Sequence, residues 1–271
     1  MVLSLFLGDS MSTPRFFLSC IFTAVVALVS VADGNLAVSR NRALEPVPSG
    51  GKLQYDWNAR HERILREQRD MDPQIVLLGD SITHEWAGRP SIGGKDSFPR
   101  FKRDFGEYRV LNAGFGGDRI QNILWRLDNG ELDGINPKLL VLLAGTNNLN
   151  LKSKSDPTLK ASTPDEIVEG IMAILARIRK KLPNTKILIL GVFPRGPKTG
   201  GRFRIAAEKI NSILAGRVKG LECVEFADIG NVFLDGNGDF QEPVTRDHLH
   251  LRDEGFRRWR KALDPWLRDV K

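Results

Sequence analysis

Apolar positions along this chain fall into two alternating patterns from about Leu53 onward. Five short runs, Gln74–Leu78, Arg109–Asn112, Leu139–Leu143, Lys186–Leu190 and Glu222–Phe226, are rich in Val, Ile or Leu and are not broken by regular polar positions. Such runs predict strands of a parallel sheet that is covered on both faces. The segments Asp56–Arg69, Ile120–Asn129, Asp165–Lys181, Arg202–Val218 and Asp253–Arg268 have helical spacing instead, with Pro265 expected to shorten the last. Thr163-Pro164-Asp165-Glu166 supplies a cap, a proline and acidic residues at the start of the third helix. Strand and helix alternate to the C-terminus, which predicts one α/β domain over residues 53–271: a three-layer, doubly wound, five-stranded parallel sheet. Ligands of such a sheet bind outside the carboxyl ends of its strands.

The N-terminus follows another rule. Arg15 precedes an apolar run from Phe16 to Val29, which ends at Ser30-Val31-Ala32 before the polar Asp33-Gly34-Asn35. A positive start, an apolar middle and small residues at the end read as a signal peptide over residues 1–32, and hence as export to the periplasm or outside the cell. The alternative is an N-terminal membrane anchor, since the seventeen residues Phe16–Ala32 are at the short end for a span. Residues 33–52 hold Pro46, Pro48, Gly50 and Gly51 without periodicity and are expected to be a linker or arm.

Composition narrows the classes. With 41% hydrophobic and 27% charged residues in 271, the chain is an ordinary globular sequence. Its two cysteines, Cys20 and Cys223, rule out a disulfide scaffold and a cysteine-rich zinc module. The net charge of +7 is dispersed over predicted helix faces without aromatic interleaving, so no nucleic-acid partner is expected. No stable membrane insertion of the mature chain is expected either.

Candidate chemistry gathers at the predicted strand ends. The first strand runs into Leu78-Gly79-Asp80-Ser81, a setting without the Gly-x-Ser-x-Gly elbow. Alone, it is equally an Asx turn with a capping serine. The second ends in Asn112-Ala113-Gly114-Phe115-Gly116-Gly117-Asp118, whose glycines allow close backbone approach but lack a dinucleotide fingerprint. The third ends in Ala144-Gly145-Thr146-Asn147-Asn148, where an amide either donates to an oxyanion or closes a turn. Asp247 and His250 are three apart, close enough for the carboxylate to orient the imidazole; a metal pair or a polar surface loop is the other reading. His84 and Trp86 are candidates for the pocket rim or for packing, whereas His61, His248 and Asp80 are read as structural or bystanders. Asp235-Gly236-Asn237-Gly238-Asp239 begins like a calcium loop but has Phe240 and Arg246 at later key positions, which favours a β-turn. A serine, a histidine with an aspartate, a glycine-rich backbone and an amide are the parts of a serine acyl hydrolase.

Gly79-Asp80-Ser81, Gly117, Asn147 and Asp247-x-x-His250 resemble the four ordered blocks of the SGNH (GDSL-type) hydrolases. Leu124-Trp125-Arg126-Leu127-Asp128-Asn129-Gly130-Glu131-Leu132 and Gly191-Val192-Phe193-Pro194-Arg195-Gly196 narrow the likeness to the group of platelet-activating factor acetylhydrolase Ib catalytic subunits. The resemblance implies a flavodoxin-like SGNH fold, Ser81 as nucleophile, His250 as base and Asp247 as its orienter. It implies an oxyanion hole from the Ser81 and Gly117 backbone N–H groups and the Asn147 side chain, with no cofactor and no metal, and it suggests a homodimer. The expected activity is a serine esterase for short-chain, chiefly acetyl, esters of a small molecule, a lipid or an O-acetylated glycan. Residues 82–108, expected to line the pockets, differ from that group, so the substrate stays open between these and longer acyl esters of a lysophospholipase or thioesterase. A binding module on the same scaffold is the non-enzymatic alternative.

Overall fold

A computed structural model describes residues 40–50, 53, 55–88, 97–152 and 158–270. Residues 1–32, expected to be a signal peptide, residues 33–39 and 51–52 of the arm, and residues 89–96 lie outside the described residues. Five strands, β1 (Ile75–Gly79), β2 (Val110–Gly114), β3 (Leu139–Leu143), β4 (Lys186–Leu190) and β5 (Val224–Ala227), form one parallel sheet in the order β2-β1-β3-β4-β5. Ile75 pairs with both Val110 and Leu139, so β1 lies at the centre of the reversal in strand order. That order is the flavodoxin-like doubly wound arrangement, whose ligand crevice lies where β1 and β3 part.

The alternation of side chains along each strand builds two cores. Val76, Leu78, Leu111, Leu140, Leu142 and Ile187 face one layer, made by α1 (Trp57–Met71), α4 (Ile120–Asp128), α5 (Pro164–Lys181) and α6 (Arg202–Val218). Ile75, Leu77, Val110, Leu139, Val141 and Leu188 face the other, where α2 (Ser81–His84), α3 (Ser97–Phe105), α7 (Asp253–Ala262) and α8 (Asp264–Leu267) pack. Each such buried side chain contributes about 1.5–3 kcal/mol, so a polar substitution in the central strands is costly on either face.

The ends of elements have local causes. Thr163 and Glu166 form the capping box ahead of α5, with Pro164 at its first position. The run expected from Asp253 to Arg268 is broken at Leu263, and a separate short helix follows with Pro265 as its second residue. The fifth strand starts later than the apolar pattern suggests, because Cys223 is held at φ 53 and Arg179 donates to the Glu222 and Cys223 carbonyls. The described part of the arm is docked. Asn41 donates to the Glu166 carbonyl and Glu169 carboxylate of α5, and Val47 exchanges hydrogen bonds with Gln121 and Asn122 of α4. Among the described residues, no helix is long and apolar enough to cross a membrane.

Candidate active site

β1 ends in a sharp transition into α2. Asp80 caps that helix, its Oδ1 accepting from the Ile82 N–H at 2.9 Å. Ser81 is therefore the first helical residue, where a backbone N–H has no intrahelical acceptor. Its side chain, at the carboxyl edge of the sheet, meets His250 Nε2 at 3.0 Å from Oγ.

His250 arrives from a distant loop, closed by the bridge Thr245–Leu251. Asp247 folds that loop around itself: its Oδ1 accepts from the Leu249 and His250 backbone N–H groups at 3.2 and 2.7 Å. Its Oδ2 lies 2.6 Å from His250 Nδ1. The carboxylate holds the proton on Nδ1, which leaves Nε2 free to accept from the serine hydroxyl. Partial burial works to raise the Asp247 pKa, but the ring and backbone hydrogen bonds from His250 outweigh it and hold the group below its ordinary value. Residue spacing alone did not show a second carboxylate here. Glu85, the residue that follows α2, is buried, and its two carboxylate oxygens accept from Arg246 Nη2 at 2.9 and 2.7 Å. Its Oε1 is 3.9 Å from His250 Nε2. The pair joins the helix of Ser81 to the loop of His250.

The opposite wall is the glycine loop after β2. Phe115 N–H donates to the Gly79 carbonyl, and Gly116 N–H donates to His84 Nδ1 at 3.1 Å, which ties the loop to β1 and α2. A Cβ on Gly114 would sit 2.2 Å from the His84 backbone nitrogen, so this close crossing needs glycine. Gly117 is at φ +88. The Asn147 side chain donates to the Asp118 carbonyl at 2.9 Å, which leaves its second N–H uncommitted by that bond. Leu53 comes within 3.1 Å of a Cβ built on Gly117, and the Tyr55 hydroxyl donates to the Gly116 carbonyl, so residues ahead of α1 also cover this loop.

Below the loop lies a buried charge network. Asp118 accepts from Trp57 Nε1 at 2.7 Å and from Arg126 Nε at 2.9 Å, and Arg126 also pairs with Glu131. Burial pushes the Asp118 carboxyl up to about 7 against the pull of Arg126, while Arg126 and His61 overcome burial to hold Glu131 below its ordinary range. This network explains the run Leu124–Leu132 picked out in the sequence: its Arg126 and Glu131 brace the loop that carries Gly117.

The remaining candidates separate. Trp86 is fully buried in a ring cluster with Phe105 and Trp259, and its Nε1 donates to Asp104. His84 supports the glycine loop, and His61 stacks on Trp57 in the network below. His248, at φ 58, lends its carbonyl to Gly196. Asp235 closes a β-turn, its Oδ1 accepting from Asn237 and Asp239. Among the described residues, no group of three or more His, Cys, Asp or Glu is placed to hold a metal ion.

Comparison with known proteins gives a consistent picture. The GDSL-like Lipase/Acylhydrolase family matches over residues 77–258. Platelet-activating factor acetylhydrolase IB subunit alpha2 of Rattus norvegicus is 31% identical over 207 residues, covering 76% of this chain and 81% of that protein. The IB subunit beta homolog of Drosophila melanogaster is 29% identical over 209 residues, covering 77% and 82%. Among solved structures, a GDSL-like lipase from Bacteroides thetaiotaomicron aligns with a TM-score of 0.58 at 19% identity, over 79% of this chain and 99% of that one. A mutant acetyl-xylooligosaccharide esterase from Geobacillus Stearmophilus aligns with a TM-score of 0.54 at 17% identity, over 73% and 94%. At those identities the structural neighbours speak for the fold, and the fold, the sequence relatives and the family match agree: this chain belongs to the GDSL-like lipase/acylhydrolase family and is a carboxylic ester hydrolase.

Proposed function

We propose that the chain is a serine esterase that removes short acyl groups, chiefly acetyl, through an acyl-enzyme on Ser81. The observation that carries this reading is the continuous chain Ser81 Oγ to His250 Nε2, 3.0 Å, and His250 Nδ1 to Asp247 Oδ2, 2.6 Å. Ser81 Oγ attacks the ester carbonyl as its proton passes to His250 Nε2. The oxyanion is met by the N–H of Ser81, the N–H of Gly117 and the free N–H of Asn147 Nδ2. The C–O bond then breaks and the imidazolium returns its proton to the leaving alcohol. Water repeats the sequence on the acyl-enzyme, releasing the acid and the serine.

A short acyl group is supported by the sequence relatives near 30% identity, which are named acetylhydrolase subunits. The alcohol part is that of an O-acetylated glycan or a lipid, and the leader over residues 1–32 supports action outside the cytoplasm. The test is hydrolysis of p-nitrophenyl acetate by the full chain and by Ser81→Ala, with p-nitrophenyl octanoate in parallel. We expect Ser81→Ala to lower kcat by roughly four orders of magnitude or more at unchanged Tm. Equal rates in the two proteins would remove Ser81 from the mechanism, and a preference for octanoate would replace acetyl with a longer acyl group.

A further inference from the structure

An oxyanion-hole amide has a polarity problem. The two ends of the Asn147 side chain are nearly the same shape, yet one donates and the other repels an oxyanion. Its turn, Thr146–Leu149, follows β3, and the loop after β4 leans on it from the side. From that loop Arg195 Nη1 donates to the Thr146 carbonyl at 3.1 Å, and Nη2 donates to Asn150 Oδ1 at 2.8 Å. The guanidinium thus grips the turn at both ends. It lies 4.1 Å over the Phe203 ring, which fixes its plane.

We propose that Arg195 is a positioning residue that, acting through Asn150, sets which end of the Asn147 amide faces the reacting carbonyl. A guanidinium only donates, so it draws the oxygen end of Asn150 toward itself. That turns Asn150 Nδ2 toward Asn147 Oδ1, at 3.5 Å, the longest link in the series. With its oxygen engaged there, Asn147 directs Nδ2 to the Asp118 carbonyl at 2.9 Å and holds its other N–H outward. Arg119 supports the same turn from its other side, donating to the Asn150 carbonyl at 2.8 Å and the Lys160 carbonyl at 2.6 Å. Thus Arg195 selects the donor end, while Arg119 holds the Lys160 and Asn150 backbone carbonyls.

The inference rests on Asn147 being an oxyanion donor, and a double-mutant cycle separates the two claims. Steady-state hydrolysis of p-nitrophenyl acetate by the full chain is measured for the parent, Asn147→Ala, Arg195→Met, Arg195→Lys and the double variant Asn147→Ala with Arg195→Met, with Tm recorded for each. Asn147→Ala is expected to lower kcat by roughly a hundredfold. Arg195→Met is expected to lower kcat by about tenfold or more with KM within about twofold, and to change the Asn147→Ala background by less than about twofold. Arg195→Lys, which keeps the charge and loses the fork, should recover less than half of the lost kcat. Should Arg195→Met not fold, Asn150→Ala takes its place in the same cycle. Unchanged kcat in Asn147→Ala would sink the oxyanion assignment itself. A full loss there, with equal losses from Arg195→Met in both backgrounds or none in either, would overturn the relay alone.

Discussion

Gly117 is constrained by its backbone conformation. At φ +88 an L side chain is strained by roughly 1–2 kcal/mol, and its Cβ would press on Leu53 at 3.1 Å. Leu53 can give way by a few tenths of an ångström, but the backbone strain is relieved by shifting the N–H proposed to meet the oxyanion. Gly117→Ala is therefore expected to lower kcat by about ten- to a hundredfold while lowering Tm by only a few degrees. Steady-state kinetics beside thermal melts would show it; a loss confined to Tm would mean that the Gly117 N–H takes no part. At this scale the sequence was most legible where chemistry needs fixed spacing, as in Gly79-Asp80-Ser81 and Asp247-x-x-His250. Glu85, Leu53 and Tyr55 were not legible. Glu85 gains its meaning from Arg246, far along the chain, and no local pattern announces such a pairing.

Among the elements, α4 has the least obvious task. Its outward pattern predicts an amphipathic helix, yet Arg126 points inward, fully buried, with its guanidinium 4.0 Å over the Phe115 ring and bonded to Asp118 and Glu131. Removing that cation leaves two buried carboxyl groups without their main partner. Arg126→Met is expected to cost about 3–5 kcal/mol, read as a lower urea midpoint at unchanged slope. A loss under about 1 kcal/mol would mean that the network is replaceable by packing. Elements themselves were legible where burial enforces a pattern. β3, β4 and α6 start and stop where their apolar runs do. α2 is too short at four residues to show periodicity, and only its Asp80 cap marks it. α3 lies in the stretch 82–108, which was read as pocket lining and not as a separate element. The arm read as loose between residues 33 and 52 is held, over its described part, by side-chain amides that composition does not distinguish from loop residues.

For the molecule as a whole, the perturbed carboxyl groups pull the pH dependence of stability in opposite directions. Glu131 and Asp247 titrate below their ordinary values, so they favour the fold above the carboxylate range and lose that contribution as pH falls. Asp118 has the reverse sign. Its value rises from 3.8 in the open chain to about 7, so between those limits the native state keeps a proton that the unfolded chain has released. Its contribution to stability therefore declines as pH rises through that window. One guanidinium serves two carboxyl groups here, and Glu131 takes the larger share of it. Asp118→Asn fixes the neutral state at that position. Whatever the amide costs in hydrogen bonding is the same at every pH, so the informative quantity is how the Tm difference from the parent changes. From pH 5 to pH 8 the variant is expected to gain on the parent, since only the parent must ionise a buried group. Thermal melts of both proteins across that range would decide it: a Tm difference constant with pH would show that Asp118 is ionised throughout, and that Arg126 neutralises both of its partners.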